Sequence, residues 1–343
     1  MPRIKDIAKK LGVSSATVSL VLNSKPGASE ETRRKVTKEL TAAGYNIRSV
    51  SKAIQNGRGI LRLIFYRKYG TIVSDTPFFS ELTEGIDKEA RAHGCNLVIS
   101  YLNERENKQE ILTQLDSTPA DGVILLATEM EENDLRPFFE RNLNLVVLDS
   151  YFQKEKVNTV VINNIQGAYQ ATEFLIERGH TKIGHLKSLQ CINNFREREQ
   201  GFRQALADNG LPLDENDIWL LSPTLEGSNA EMKRLLEQSG PENLPTAFFA
   251  DNDIIACGAI KALRSAGVRV PEDVSVIGFD DMPFCTVIEP ALTTIRVFKK
   301  KMGVMAVRRL LEIYSDSDDI CTKIEIGTEL IERHSVTDRR LLR

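Results

Sequence analysis

The 343-residue sequence is poor in the residues that carry redox and metal chemistry. Its five cysteines (Cys95, Cys191, Cys257, Cys285 and Cys321) are odd in number, widely spaced and free of any C-x-x-C pair. That excludes a disulfide framework or a zinc site and reads as reduced, mostly core cysteines. The four histidines (His93, His180, His185 and His334) are scattered, and none belongs to an H-E-x-x-H motif. His180 follows Gly179 at an expected helix end, where a cation suits the helix dipole. No run of 18 apolar residues and no N-terminal apolar h-region occurs, so the expectation is a cytoplasmic protein with no membrane partner. The loops G-x-x-x-x-G-K-[ST], G-x-G-x-x-G and G-x-S-x-G are also absent. Nucleotide-dependent and serine-hydrolase chemistry therefore have no sequence support. The adjacent carboxylates Asp280 and Asp281 have no partner at acid–base or metal-ligand spacing. The chain is not expected to be an enzyme, and no cofactor or metal is implied.

What is present is asymmetric. Hydrophobic residues make up 41% of the chain, enough for sizeable cores, and the length suits two or three domains. The net charge of −3 conceals a division. Residues 1–60 hold 12 Lys/Arg against 4 Asp/Glu, and the remainder holds 33 against 44. A head of net charge +8 on a body of −11 is the pattern of a DNA-binding module joined to a regulatory one. A pure solute-binding protein, the alternative class, has no use for such a head.

The spacing in residues 4–23, IKDIAKKLGVSSATVSLVLN, predicts a helix-turn-helix. Ile4, Ile7, Ala8 and Leu11 recur as one apolar helical face. Gly12 and Val13 make the turn, and Ser14 caps a second helix with Val18, Val21 and Leu22 inward. Ser15, Ala16, Ser19 and Leu20 point outward together with Thr17, as in a helix that enters a major groove. Ser29 is expected to cap a third helix that runs through Val36 and Leu40 to Gly44. A basic connector follows over residues 45–59.

From Ile60 onward, short β-branched runs alternate with helical patterns. Strands are expected at 60–66, 96–101, 122–127, 145–149 and 159–162. A second series is expected at 182–186, 218–221, 246–250 and 274–279, with strand-like segments at 323–327 and 329–333. The helices between them are read at 79–93, 166–178, 197–208, 228–238 and 253–266. Near-continuous apolar strands separated by helices argue for parallel sheets covered on both faces. Two such series argue for two lobes, with ligands held outside the carboxyl ends of the strands.

The same segments carry a resemblance. The head IKDIAKKLGVSSATVSLVLN is followed by ETRRKV, AAGY, TPFFSELTEGI, DGVILLATE and LDS at 148–150. FREREQGFRQAL, PTAFFADNDIIACGAI and VSVIGFDDMPFCTVIEPALTTI follow in order. On these motifs the chain resembles the lactose/galactose-repressor family of bacterial transcription regulators over essentially its whole length. The resemblance implies an all-α helix-turn-helix head and an α/β bilobed body like the periplasmic binding proteins, built from two parallel sheets with helices on both faces. The implied domains are 1–46 (DNA-binding), 47–59 (hinge helix or linker) and 60–343 (effector binding and dimerisation). Within the body, the first lobe is expected at about 60–160 and 293–322, and the second at about 161–292 and 323–340.

The resemblance further implies a homodimer on a palindromic operator, with a small effector in the cleft that alters DNA affinity. A sugar is the expected effector, and a nucleobase or a phosphorylated carrier protein are the alternatives. Carried over, Ser15, Ala16 and Leu20 take base-reading positions, while Ser14, Thr17, Ser19 and Asn23 hold phosphates or the fold. Many relatives have Arg at the place of Leu20, and a leucine restricts readout there to apolar contact, such as a thymine methyl. Lys52 joins the DNA contacts, and Ile54 stands where a hinge residue wedges into the minor groove. The effector residues implied are Phe78, Phe79, Asp149, Arg198, Asn252 and Asp280. Val297 replaces a polar contact common in the family. With the last strand-like segment close to the final residue, no coiled coil is expected, hence a dimer rather than a tetramer.

Overall fold

A computed structural model of the chain describes residues 3–22, 27–43, 59–74, 77–104, 108–117, 120–139, 143–240, 243–315 and 320–342. The head comprises α1 (Ile4–Leu11), α2 (Ser15–Leu22) and α3 (Glu30–Ala42). Its small core is Ile7, Ala8, Val18, Val21, Val36 and Leu40, with Leu22 packed at its edge. Gly12 takes φ +65°, the left-handed geometry that ends α1 and aims α2 across it.

The body holds two six-stranded sheets, each made mostly of parallel strands. The first lobe contains β1 (Ile60–Arg67), α4 (Phe78–Ala92), β2 (Asn96–Asn103), α5 (Lys108–Ser117), β3 (Gly122–Leu126), β4 (Leu145–Leu148) and β5 (Asn158–Ile162). The second contains α6 (Asn164–Glu177), β6 (Ile183–Ser188), α7 (Asn193–Asp208), β7 (Ile218–Leu221), α8 (Leu225–Ser239), β8 (Ala247–Ala250), α9 (Asp253–Ser265), β9 (Ser275–Asp280) and β10 (Thr293–Val297). The chain then returns to the first lobe for α10 (Lys299–Ser315) and β11 (Lys323–Ile326), and ends in the second with β12 (Thr328–Ile331). Strand order is β11-β5-β4-β3-β1-β2 in the first sheet and β12-β10-β9-β8-β6-β7 in the second. All pairs are parallel except β10–β12. The central strands β3, β4, β5, β8 and β9 are buried along their whole length, as expected of parallel strands covered on both faces.

The expected lobe boundaries need correction at two places. Residues 293–297 pair in parallel with β9, Thr293 opposite Ile277, and so belong to the second lobe. Residues 323–326 pair with β5, Lys323 opposite Thr159, and belong to the first. The crossovers therefore fall near residues 163, 298 and 327. After the second crossover, α10 packs against α4 through two glycines. A Cβ on Gly85 would strike the Lys300 backbone, and one on Gly303 would strike the Leu82 carbonyl. Among the described residues, no helix is long and apolar enough to cross a membrane.

Candidate functional site

In the head, the local chemistry that builds α2 also presents it. The Ser14 hydroxyl accepts from the Thr17 backbone N–H at 2.9 Å and lies 2.8 Å from the Thr17 hydroxyl. One orphan donor of the helix start is thereby satisfied. Val18 and Val21 turn inward, which leaves Ser14, Ser15 and Ala16 exposed and Thr17, Ser19 and Leu20 half-buried. These six predicted residues share one short capped helix and its approach. Asn23, Lys52 and Ile54, with residues 45–58 of the predicted linker, lie outside the described residues.

In the body, the six predicted effector residues come together. Phe78, Phe79, Asp149, Arg198, Asn252 and Asp280 line one cavity between the lobes, together with Ile72, Thr128, Ile192, Asn194 and Phe195. Every polar member sits at or beyond the carboxyl end of a strand or on the helix that follows one. Parallel topology makes this placement. Strand order reverses direction at β1/β3 in one sheet and at β6/β8 in the other, so the connections diverge and leave a crevice.

Arg198, 3% exposed, is the centre of the site. Its Nε donates to Asn164 Oδ1 at 3.0 Å, Nη1 to the Asp251 carbonyl at 2.6 Å and Nη2 to Asp280 Oδ1 at 3.1 Å. Its guanidinium lies 3.7 Å from the Phe279 ring centroid, a cation–π arrangement that fixes the fork's plane. Asp149 faces it from the first lobe. Thr128 Oγ1 donates to Asp149 Oδ2 at 2.6 Å, and Asn194 Nδ2 donates across the cleft to Asp149 Oδ1 at 3.0 Å. Burial pushes the Asp149 carboxyl up to about 6 against the pull of those donors and of Arg198. Burial also raises Asp280, again against Arg198. Asn252 caps α9, its carbonyl oxygen accepting from the Ile255 N–H at 3.0 Å, so its amide NH2 is the part left for the cavity.

Backbone strain concentrates in the same place. Among the described residues, Asp149 (φ +67°), Asp280 (φ +111°) and Asp281 (φ +52°) are the non-glycine residues with positive φ. Such conformations cost about 1–3 kcal/mol each and cluster at ligand sites.

The lobes meet closely over this cavity, which measures ≈30 Å³, far below the roughly 300–1,000 Å³ of ligand pockets. Besides the Asn194–Asp149 bond, Asn193 Nδ2 donates to Ser150 Oγ at 2.9 Å, and Thr71 Oγ1 donates to Gln190 Oε1 at 2.8 Å. Ile72 packs against Ile192 and Phe195 as a separate apolar cluster. Glu129 holds the loop that carries Thr71 and Ile72, accepting from the N–H groups of Lys68, Tyr69, Gly70 and Val73.

Sequence reasoning missed Thr128, Asn193, Asn194 and Phe195. It began the helix at 197, whereas α7 begins at Asn193. Asn194 stands four residues before Arg198 on the same helix face, a spacing that would have located it. The expected charged role of His180 is corrected. It is buried between Thr246 Oγ1 and the Thr337 carbonyl, at 3.0 and 3.2 Å, and burial lowers it to about 4, so it is neutral at pH 7.

A capped two-helix reader on a basic head, joined to a bilobed body whose polar residues converge at a cleft, defines a DNA-binding regulator with a small-molecule domain. Residues 3–47 match the bacterial regulatory proteins of the lacI family, and residues 172–336 match the periplasmic binding protein-like domain. The chain is 32% identical to the HTH-type transcriptional repressor PurR of Photorhabdus laumondii subsp. laumondii, over 98% of each chain. It is 31% identical to the probable HTH-type transcriptional repressor ExuR of Bacillus subtilis, over 99% of each. A solved transcriptional regulator CelR–cellobiose complex is similar at 27% identity, with a TM-score of 0.72, over 98% of this chain and 100% of that one. The chain belongs to the lacI family of bacterial regulatory proteins. It is a DNA-binding transcriptional regulator, not an enzyme.

Proposed function

We propose that the protein is a repressor that binds a palindromic operator as a homodimer and is controlled by a small metabolite, most simply a sugar, held between the lobes. The observation that carries this reading is the convergence of Asp149, Arg198 and Asp280 on one buried cavity lined by Phe78 and Phe79. Two carboxylates accept paired hydroxyl bonds, a guanidinium fork donates them, and aromatic rings cover the apolar face of a pyranose. The cellobiose held by the CelR relative supports a carbohydrate effector.

In this reading the effector parts the lobes to enter and replaces contacts they make with each other. The Asn194 amide on Asp149 is the first to be exchanged. Because the ligand and the closed cleft compete for the same groups, binding shifts the balance between lobe arrangements, and the head responds to that shift. Ser14, Ser15, Ala16, Thr17, Ser19, Leu20 and Asn23 contact the operator, joined by Lys52 and by Ile54 as the minor-groove wedge.

The test is a thermal-shift screen of uncharged sugars and nucleobases on the full-length protein. A ligand at 100 times its Kd adds about 2.7 kcal/mol, and a sugar is expected to score. A nucleobase as the sole stabilising class would replace the sugar assignment.

A further inference from the structure

A cavity far larger than the cleft lies outside it. It measures ≈650 Å³ and opens where the chain crosses from the second lobe to the first, between β10, the start of α10 and the start of α4. Its walls carry Arg296, Lys299, Lys300, Lys301 and Arg333, against the carboxylates of Glu81 and Asp281. One negative charge is already shared, since Asp281 accepts from Arg296 at 2.7 Å and from Arg333 at 2.6 Å.

Three features make this wall unusual. Lys299, Lys300 and Lys301 are consecutive in the first turn of the 17-residue α10, a turn that holds no acidic residue. The positive end of a helix disfavours cations, and its first N–H groups have no intrahelical acceptors. A phosphate there answers both deficits at once. The lysines are also differently engaged. Lys299 is buried and donates to the carbonyls of Asp280 and Asp281 at 2.7 and 3.1 Å. Lys300 pairs with Glu84 at the surface. Lys301 is exposed and forms no ion pair among the described residues. Phe298 lies half-exposed beside them and offers an apolar surface to the body of a ligand.

We propose that this cavity is a second ligand site, which takes the phosphate group of a small phosphorylated metabolite on Lys300, Lys301 and the α10 N-terminus. The volume suits a small molecule, falling within the range of pockets that enclose one. The site touches both lobes and reaches the cleft through a single side chain. Lys299 grips the backbone of Asp280, whose carboxylate holds Arg198.

The site does not depend on the effector assignment, and the experiment separates the two. Glycerol 3-phosphate is titrated into the full-length protein by calorimetry at constant ionic strength, with glycerol as control. The expected result is saturable binding of glycerol 3-phosphate alone. It should weaken at least tenfold in the Lys300→Gln/Lys301→Gln double variant and stay within twofold of wild type in Arg198→Ala. The two lysines are exposed, so the double variant should retain the wild-type melting temperature. Absence of saturable heat in the wild type overturns the proposal. So does binding that survives the lysine substitutions and disappears in Arg198→Ala, which would place the phosphate in the cleft. A phosphoserine peptide that binds more than tenfold tighter than glycerol 3-phosphate would replace the small metabolite with a phosphoprotein.

Discussion

Arg198 and Asp280 hold each other in a buried, charge-assisted bond, and an effector bound as proposed shares that pair. A hydrogen bond to a charged group contributes about 1.5–3 kcal/mol. Arg198→Ala and Asp280→Ala should each weaken effector binding by about one to two orders of magnitude on that basis. Calorimetry with the effector found by the screen checks this, and wild-type affinity in both variants would remove the site assignment. Asp149 makes a separate prediction through pH. Burial raises its carboxyl from 3.8 to about 6, so between those values the folded protein holds a proton that the unfolded chain has released. Stability from this group therefore falls as pH rises from about 4 to about 6 and is level above. Asp253, raised to about 7 by burial and by Asp280, slopes the same way over a wider range. Asp149→Asn should gain stability relative to wild type by up to about 3 kcal/mol between pH 4 and pH 7. Urea denaturation at fixed ionic strength measures it, and a pH-independent difference would contradict the burial argument.

Elements differ in how plainly they declare themselves. α1 and α2 were legible because each cue is local: a 3.6-residue apolar stripe, a glycine at the turn, a serine at the cap. Ser14→Ala should destabilise the head by about 1 kcal/mol, measurable by circular dichroism of the full chain's first thermal transition. The buried strands were legible as apolar runs, yet their lobe membership was not, since only pairing with β9 or β5 decides where residues 293–297 and 323–326 belong. α10 escaped the sequence reading. Its three lysines stand at the wrong end for the dipole and Gly303 lies within its first turns, so the usual start signals are missing. Its buried face of Met302, Ala306, Val307, Leu310 and Ile313 is clear only once α4 lies against it. The close approach at Gly85 predicts that Gly85→Ala, which overpacks this contact, costs about 1–3 kcal/mol. A melting temperature equal to wild type would show that the helices give way freely. The cleft was legible as a set of strand-end residues, whereas its closure by Asn193, Asn194 and Ile72 depends on how two sheets face each other.

At the scale of the whole molecule, a basic reader is joined to an acidic body. Each phosphate neutralised by the head should add about 0.9 to the slope of log affinity against log salt, so operator binding should fall steeply as salt is raised. Substitutions in the cleft should leave that slope unchanged, because the charges that set it are in residues 1–60. If occupancy of the cleft governs the head, the effector must change operator affinity through Arg198. Fluorescence anisotropy of the full-length protein on a palindromic operator selected in vitro is recorded with and without the effector, for wild type and for Arg198→Ala. The effector is expected to shift the operator Kd at least tenfold in wild type and less than twofold in the variant, with equal effector-free affinities. A wild-type Kd indifferent to the effector, or a variant that responds as fully as wild type, would contradict it.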